Sequence, residues 1–310
     1  MSNELSLVAD VGGTNTRIAL ANGVHVAQDS IRSFRNTDYA SLYDVIAHYG
    51  PTDATAVCVD MAGPVGNGVG KLTNLSWVVS EQELRARLSV EKAFLINDLQ
   101  AQGYALNQLQ PSETQTILPG PDAENGTRLV VNVGTGFNAS PVYHIQGRPF
   151  VPENEAGHIG LAVPQGLDPL VLNTFAESDG FLSVEDILSG RGLARLVAKF
   201  APNYAGKPMD VFPDFAAHPT ADLETALRTF ASVLGAVAGD LALAHLPRGG
   251  IYLVGGVAMG AAPLLDQLGF AQAFRAKGRF SEFMNEFSVH ANLDPMAALT
   301  GCAVALQAQT

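Results

Sequence analysis

A chain of 310 residues is long enough for two domains at about 100–200 residues each, and at 47% hydrophobic and 15% charged it is too apolar to be disordered. Its formal net charge of -12 repels phosphate backbones and anionic lipid, which excludes nucleic acid and membrane surfaces as default partners. An anionic substrate therefore needs a local site, built from backbone N–H groups and a metal.

Read from the N-terminus, Met1–Asp10 lacks a basic region and carries Glu4, so it is not a signal peptide. Leu5–Asp10 predicts a short strand that ends in Gly12-Gly13-Thr14-Asn15, and Arg17–Ala21 resumes the pattern, so the glycines mark a hairpin turn whose positive φ they tolerate. A helix is predicted over Thr37–Tyr49, with Leu42, Val45, Ile46 and Tyr49 on one face and a stop at Gly50-Pro51. Ala54–Ala62 predicts a buried strand. Ser80-Glu81-Gln82-Glu83 is a capping box that opens a short helix with Leu84 and Leu88 inward. Ala93–Ile96 is again a strand and ends at Asn97-Asp98, with Asp98 as N-cap of a helix carrying Leu99, Gly103 and Leu106. That puts Asp98 at the C-terminal edge of a strand, where open α/β sheets place their ligands.

A second cycle begins at Arg128. Leu129–Val133 predicts a strand, Gly134-Thr135-Gly136 a turn and Ala139–Ile145 a second strand. Asp10-Val11-Gly12-Gly13-Thr14 and Asn132-Val133-Gly134-Thr135-Gly136 share this layout 122 residues apart, a hint of duplication with few identities behind it. Leu223, Leu227, Phe230, Leu234, Val237 and Leu241 then mark a long core helix. The apolar stretch Thr229–Leu246 within it is broken by Asp240 and reads as a buried helix, not a membrane span. Ile251–Val254 is a buried strand that runs into Gly255-Gly256, and Asp294-Pro295 supplies the N-cap and first residue of the final helix. Cys58 and Cys302 lie far apart in apolar surroundings and are expected to be buried, reduced thiols.

Two of the glycine motifs fail as familiar nucleotide binders. Gly66-Asn67-Gly68-Val69-Gly70-Lys71 is one residue short of a P-loop, and Leu72 stands where a magnesium-binding hydroxyl is needed, so a solvated hairpin is expected. Gly134-Thr135-Gly136-Phe137-Asn138-Ala139 fits the loose dinucleotide pattern, but Ser140-Pro141-Val142-Tyr143-His144-Ile145 follows it as a strand where a helix is required. What remains is phosphate held by hairpin turns. Each turn alone also fits plain hairpin geometry; together with Asp98 they describe a cleft that grips a triphosphate.

At this point the chain resembles the bacterial glucokinase family of the hexokinase–actin–Hsp70 ATPase superfamily. Leu7-Val8-Ala9-Asp10-Val11-Gly12-Gly13-Thr14-Asn15-Thr16-Arg17 is similar to its first phosphate motif, Leu72-Thr73-Asn74-Leu75-Ser76-Trp77 to its Thr-Asn-x-x-Trp segment, and Ile96-Asn97-Asp98-Leu99 to its catalytic strand end. Gly134-Thr135-Gly136 resembles the second phosphate motif, Glu155-Ala156-Gly157-His158 the sugar loop, and Glu185-Asp186-Ile187-Leu188-Ser189-Gly190 the helix after it. Ile251–Gly256 resembles the adenosine motif, and Phe274-Arg275-Ala276-Lys277-Gly278-Arg279-Phe280 a late family block.

The resemblance implies an α/β, two-domain actin-like (ribonuclease H-like) ATPase fold, each domain a mixed sheet with flanking helices. The small domain would take residues 1–108 and 293–310, the large one 109–292. It implies ATP-dependent phosphorylation of glucose at the 6-hydroxyl, with Asp98 as general base and Asn97, Asp98, Glu155, His158 and Glu185 reading the sugar. ATP would be held by Ala9, Asp10, Val11, Gly12, Gly13, Thr14, Asn15, Gly134, Thr135, Gly136, Gly255 and Gly256, with Asp10 positioning Mg²⁺ through water. It further implies a cytoplasmic homodimer whose domains close on sugar. Each side chain also has a structural reading: Asp98 as a cap, His158 as a hydrogen-bonded histidine, Glu185 as a helix-start acid. The sequence departs from the family where Asn138 and Ala156 replace glycines and where Gly160 stands in place of an acid. Three alternatives stay open: a kinase for another hexose, a kinase-derived sugar-binding regulator, or a scaffold with weakened catalysis. With the first strand at about Leu5, no N-terminal helix-turn-helix of such a regulator is expected.

Overall fold

The computed structural model describes residues 5–121, 123–164, 166–167, 175–176 and 180–309. These cluster into two units, the first Met1–Leu109, Ile145–Glu153 and Asp294–Thr310, the second Gln110–His144 and Asn154–Leu293.

The first unit opens with β1 (Leu5–Val11), β2 (Asn15–Asn22), β3 (His25–Val26) and β4 (Arg32–Arg35). β5 (Ala56–Met61) follows, then a small side sheet of β6 (Val65–Gly66), β7 (Val69–Lys71) and β8 (Val78–Ser80), and finally β9 (Lys92–Asn97). The main sheet runs β3-β2-β1-β5-β9, with β4 on β2. β1 pairs antiparallel with β2 and parallel with β5, which in turn runs parallel to β9. All six residues of β5 are buried, as a central strand covered on both faces requires.

The helices form where the apolar periodicity puts them, but their starts shift. The first is Leu42–Tyr49, capped by Ser41 accepting from Asp44 N at 3.3 Å, and a 3₁₀ turn over Asn36–Asp38 takes the place of the expected first helical turn. Ser80 Oγ caps Glu81–Leu88 by accepting from Glu83 N at 3.1 Å, while Glu83 turns outward to Arg87, so only half of the capping box forms. The final helix is Ala297–Ala308; Asp294 accepts from Met296 N at 2.8 Å ahead of it, and so stabilises the entry turn without being the cap. The β6–β7 hairpin turns through Asn67 and Gly68 at φ 53° and 70°, the two left-handed residues of a tight hairpin and nothing like a P-loop.

The second unit carries β10 (Thr114–Leu118), β11 (Arg128–Val133) and β12 (Phe137–Ile145). Residues 145–153, with the short strand β13 (Arg148–Phe150), cluster with the first unit, although the sequence reading assigns them to the second domain. β14 (Ile251–Val254) and β15 (Val289–Asn292) complete an order of β10-β15-β14-β11-β12. β11 pairs antiparallel with β12 and parallel with β14. β1 and β11 thus have the same pair of neighbours, a hairpin partner and a parallel strand, and the shared layout of their sequences recurs in the topology.

The long helix Ala221–His245 is capped by Thr220 and ends at Leu246 in the left-handed region, φ 49°. By length and composition it is able to cross a membrane, yet 78% of its most apolar window is buried inside the protein, as the sequence reading of a core helix expects. Gly235 and Gly239 let Phe270–Arg275 approach its backbone, and Lys277 Nζ fastens the contact by donating to Ala236 O at 2.8 Å and Asp240 at 2.7 Å. Cys58 and Cys302 are free and buried, as expected.

In the first unit the final helix lies against Asp98–Ala105 so closely that a Cβ on Gly301 would collide with Ala101 O. Because that obstacle is backbone, Gly301→Ala is expected to cost about 1–3 kcal/mol, read as a lower midpoint in urea; an unchanged midpoint would mean the two helices are not in this contact.

Candidate active site

Parallel register brings three carboxyls to one sheet edge in the first unit. Asp10 and Asp60 are Cα partners across β1 and β5, Asp60 pairs with Ile96 across β5 and β9, and Asp98 follows the end of β9. Asp60 is fully buried. Its Oδ2 accepts from the Cys302 thiol at 3.3 Å, and its Oδ1 has no hydrogen-bond donor among the described residues. Burial pushes its pKa well above the usual carboxylate range, with Cys302, Asp10 and Asp98 adding in the same direction. Burial and these neighbours therefore favour the neutral form of Asp60.

Asp10 is also raised by burial, but Arg17 opposes the shift from 3.4 Å. Arg17 is itself steadied by donating to Pro295 O at 3.1 Å. Asp98 is pushed up to about 6, first by burial and then by the nearby charge of Asp10, against the pull of the Leu99 N–H that it accepts at 2.9 Å. The helix cap is Asn97, one residue earlier than the sequence suggests: its Oδ1 accepts from Leu99 N at 2.9 Å, and Gln100 Oε1 answers by accepting from Asn97 N at 3.0 Å. Asn97 Nδ2 also donates to Gly63 O at 3.1 Å.

The turn Gly12–Asn15 closes with Gly12 N donating to Asn15 O at 3.0 Å. Buried Asn36 braces it from 24 residues beyond Gly12. Its Nδ2 donates to Gly12 O at 2.8 Å, its backbone N to Thr14 O at 2.9 Å, and its Oδ1 accepts from Thr16 Oγ1 at 2.8 Å. A Cβ on Gly13 would stand 2.7 Å from Asn74 Nδ2, so the turn and the Thr73-Asn74 segment meet. Ala9 and Val11 have fully buried side chains and can offer only backbone.

In the second unit the turn after β11 and the loop Glu155–His158 are laced together. Glu185 Oε2 accepts from Phe137 N at 2.9 Å, and Glu185 N donates to Gly157 O at 3.0 Å. A Cβ on Gly136 would strike the Glu185 carboxylate, and one on Gly157 would strike Phe137 O. Asn138 is the second lace: Nδ2 donates to Asn154 O at 2.6 Å, and Oδ1 accepts from Ala156 N at 3.0 Å. Glu155 and His158 stand exposed at either end of this loop. Glu185–Ser189 is a turn, not the helix expected there; the helix is Gly190–Phe200, capped by Ser189 accepting from Gly192 N at 3.0 Å. None of Gly12, Gly13, Gly134 and Gly136 has positive φ. At Gly13 and Gly136 the demand is close approach rather than handedness. Gly255 combines both, with φ 94° and a Cβ that would strike Asn132 Oδ1.

Beside Gly134 and Thr135 the second unit holds a cavity of about 720 Å³, walled also by Gly190, Gly256 and Val257 and lined on its apolar side by Leu193, Pro208, Met209 and Phe212, with Lys207 among them. The Lys207–Phe212 stretch carries no sequence motif; its one signal is the Lys-Pro-Met run before a helix, which the structure leaves exposed.

Asp60 yields a stability prediction with a definite sign. Its folded pKa lies above the unfolded value of about 3.9, so its contribution is fully present below that value and is lost as pH rises toward the folded one. Asp60→Asn keeps the shape and never ionises, so its melting temperature should gain on the parent's between pH 5 and pH 8. An equal difference at both pH values would show that Asp60 is not held neutral.

The glucokinase family model matches residues 7–309. A glucokinase of Caulobacter sp. strain K31 is 33% identical over 97% of this chain and 95% of its own length. One of Stenotrophomonas maltophilia strain R551-3 is 32% identical over 97% and 95%. Among solved structures, the glucokinase from an Antarctic psychrotroph superposes with a TM-score of 0.86 at 29% identity, covering 98% of this chain and 99% of that one. The ROK hexokinase of Thermus thermophilus shares the fold, with a TM-score of 0.73 at 20% identity over 99% and 100%. The near-complete coverage and the family motifs standing in order agree: the chain belongs to the glucokinase family.

Proposed function

We propose that this protein transfers the terminal phosphoryl group of ATP to the 6-hydroxyl of glucose. Family membership across residues 7–309 is the observation that carries the reading. The first unit supplies the base. Asp98 follows the end of β9 with its pKa pushed up to about 6, close enough to working pH to be ionised and still accept a proton as the new P–O bond forms. Asn97 beside it offers the amide N–H left over from its bond to Gly63.

Glu155, His158 and Glu185 bind other sugar hydroxyls. Glu185 already takes the Phe137 N–H on Oε2, which leaves Oε1 for a hydroxyl. Two acids, an amide and an imidazole provide the mixed donors and acceptors that a polyhydroxylated ring needs. Gly12–Asn15 and Gly134–Gly136 hold phosphates through backbone N–H groups, and Gly255-Gly256 with the 720 Å³ cavity takes the nucleoside. A volume in this range suits a base and ribose. Ala9 and Val11 serve as the buried strand that carries Asp10 to the turn. Asp10 has a partly exposed carboxylate, a hard oxygen suited to Mg²⁺ held through water, and that ion would supply neutralisation of phosphate charge. Catalysis is then mainly alignment and charge stabilisation.

The matching neighbours of β1 and β11 support reading the units as the two halves of an actin-like, ribonuclease H-like fold. A homodimer in the cytoplasm rests on family membership alone.

Coupled ADP release across glucose, mannose, fructose and glucosamine tests the assignment, with the highest kcat/KM expected on glucose. Asp98→Ala should keep the fold and measurable sugar binding while turnover falls by about 10²–10⁴. Near-normal turnover in that variant would remove Asp98 from the mechanism, and a better substrate than glucose would move the assignment to another hexose kinase.

A further inference from the structure

The nucleotide cavity of the second unit contains a charge that the reaction scheme leaves unused. Lys207 is the one cation lining it among the described residues. Its ammonium makes no hydrogen bond or ion pair with any described residue, while its backbone is held firmly. Asp210 N donates to Lys207 O at 2.9 Å. The Tyr204 hydroxyl stands 3.2 Å from that same oxygen and donates to Asp214 at 2.7 Å. Pro208 follows, with φ locked by its ring, and Pro208–Asp210 form a 3₁₀ turn. An exposed lysine on an anchored backbone beside an apolar wall is a fixed base for a mobile positive charge. On a chain of net charge -12, that positive charge offsets part of the long-range repulsion a polyanion meets on its way into this cavity.

We infer that Lys207 is a further nucleotide-binding residue, its ammonium pairing with the phosphate next to the ribose. The inference rests on the proposed function. With the Gly134–Gly136 turn on the distal phosphates and the base against the apolar wall of Pro208, Met209 and Phe212, the phosphate nearest the ribose is the one left for Lys207, which lines the same cavity. The contact is charge to charge, not shape to shape. It therefore discriminates nucleotides from nucleosides and is indifferent to the number of phosphates. A lysine serves here as a point charge, and arginine should replace it.

The test is calorimetry of the full-length protein with ATP, ADP, AMP and adenosine, comparing the parent with Lys207→Gln and Lys207→Arg. In the Gln variant, affinity for ATP, ADP and AMP should each fall by about tenfold, in line with loss of a charged hydrogen bond. Adenosine binding should stay within about twofold, and the Arg variant should recover most of the loss. In the coupled assay KM for ATP should rise by the same factor while kcat and KM for glucose hold. Unchanged ATP affinity in the Gln variant, or an adenosine loss equal to that of AMP, overturns the inference. If the parent fails to phosphorylate any sugar with ATP, the proposed function itself is wrong; a parent active on glucose with an indifferent Lys207→Gln leaves that function standing and removes Lys207.

Discussion

Three carboxyls delivered to one edge by the parallel register of β1, β5 and β9 cannot all be ionised, and the first unit is arranged around that constraint. Two charges about 4 Å apart repel by about 4 kcal/mol at an effective dielectric of about 20, more than one surface ion pair recovers. The structure divides the roles. Arg17 stands against Asp10 and favours its charge. Asp60, sealed in the sheet beside the Cys302 thiol and the neighbouring acids, is pushed toward its neutral form. Asp98 is left in between, raised but still able to ionise near neutral pH. A pKa near the operating pH is what the proposed general base on a sugar hydroxyl calls for, and the raised value follows from where the strands put their acids.

The second unit solves a different problem, that of holding an irregular loop still. Glu185 and Asn138 do this by satisfying backbone N–H groups that loops ordinarily leave to water. Asn138, a departure from the glycine usual in the family, is the residue that ties Asn154 and Ala156 to β12. In place of a glycine's freedom, the side chain supplies anchorage. Glu185 has a structural role, one oxygen on the Phe137 N–H, beside the proposed one of meeting a sugar hydroxyl. Its removal would therefore loosen the Gly134–Gly136 turn together with the Glu155–His158 loop.

The sequence was legible where the signal is local. Strands such as Ala56–Met61 and the helix Ala221–His245 follow from runs and periods of apolar residues, and the hairpin character of Gly134–Gly136 follows from the strand-like alternation after it. Caps were read to within one residue or one turn: Asn97 in place of Asp98, Met296 in place of Asp294. Neighbouring polar residues compete for the same N–H, and only tertiary contacts such as Asn97 to Gly63 decide between them. The glycines were read correctly as turn residues but for an incomplete reason, because the groups that crowd Gly13 and Gly136 come from Asn74 and Glu185. Asn36, Asp60 and Lys207 were invisible for the same reason. Each takes its meaning from partners that no spacing rule connects to it.

The division of roles among the three carboxyls is tested most directly by the pH dependence of kcat/KM for glucose in the parent and in Asp60→Asn. This ratio reports ionisations of the free enzyme. The account predicts an acid limb with its midpoint near 6 in both proteins, since Asp98 must lose its proton to act and Asp60 is already neutral. A limb near the ordinary carboxylate value of about 4, or one that moves down by a full unit when Asp60 becomes asparagine, would show that Asp60 carries charge and that the raised pKa of Asp98 has another origin.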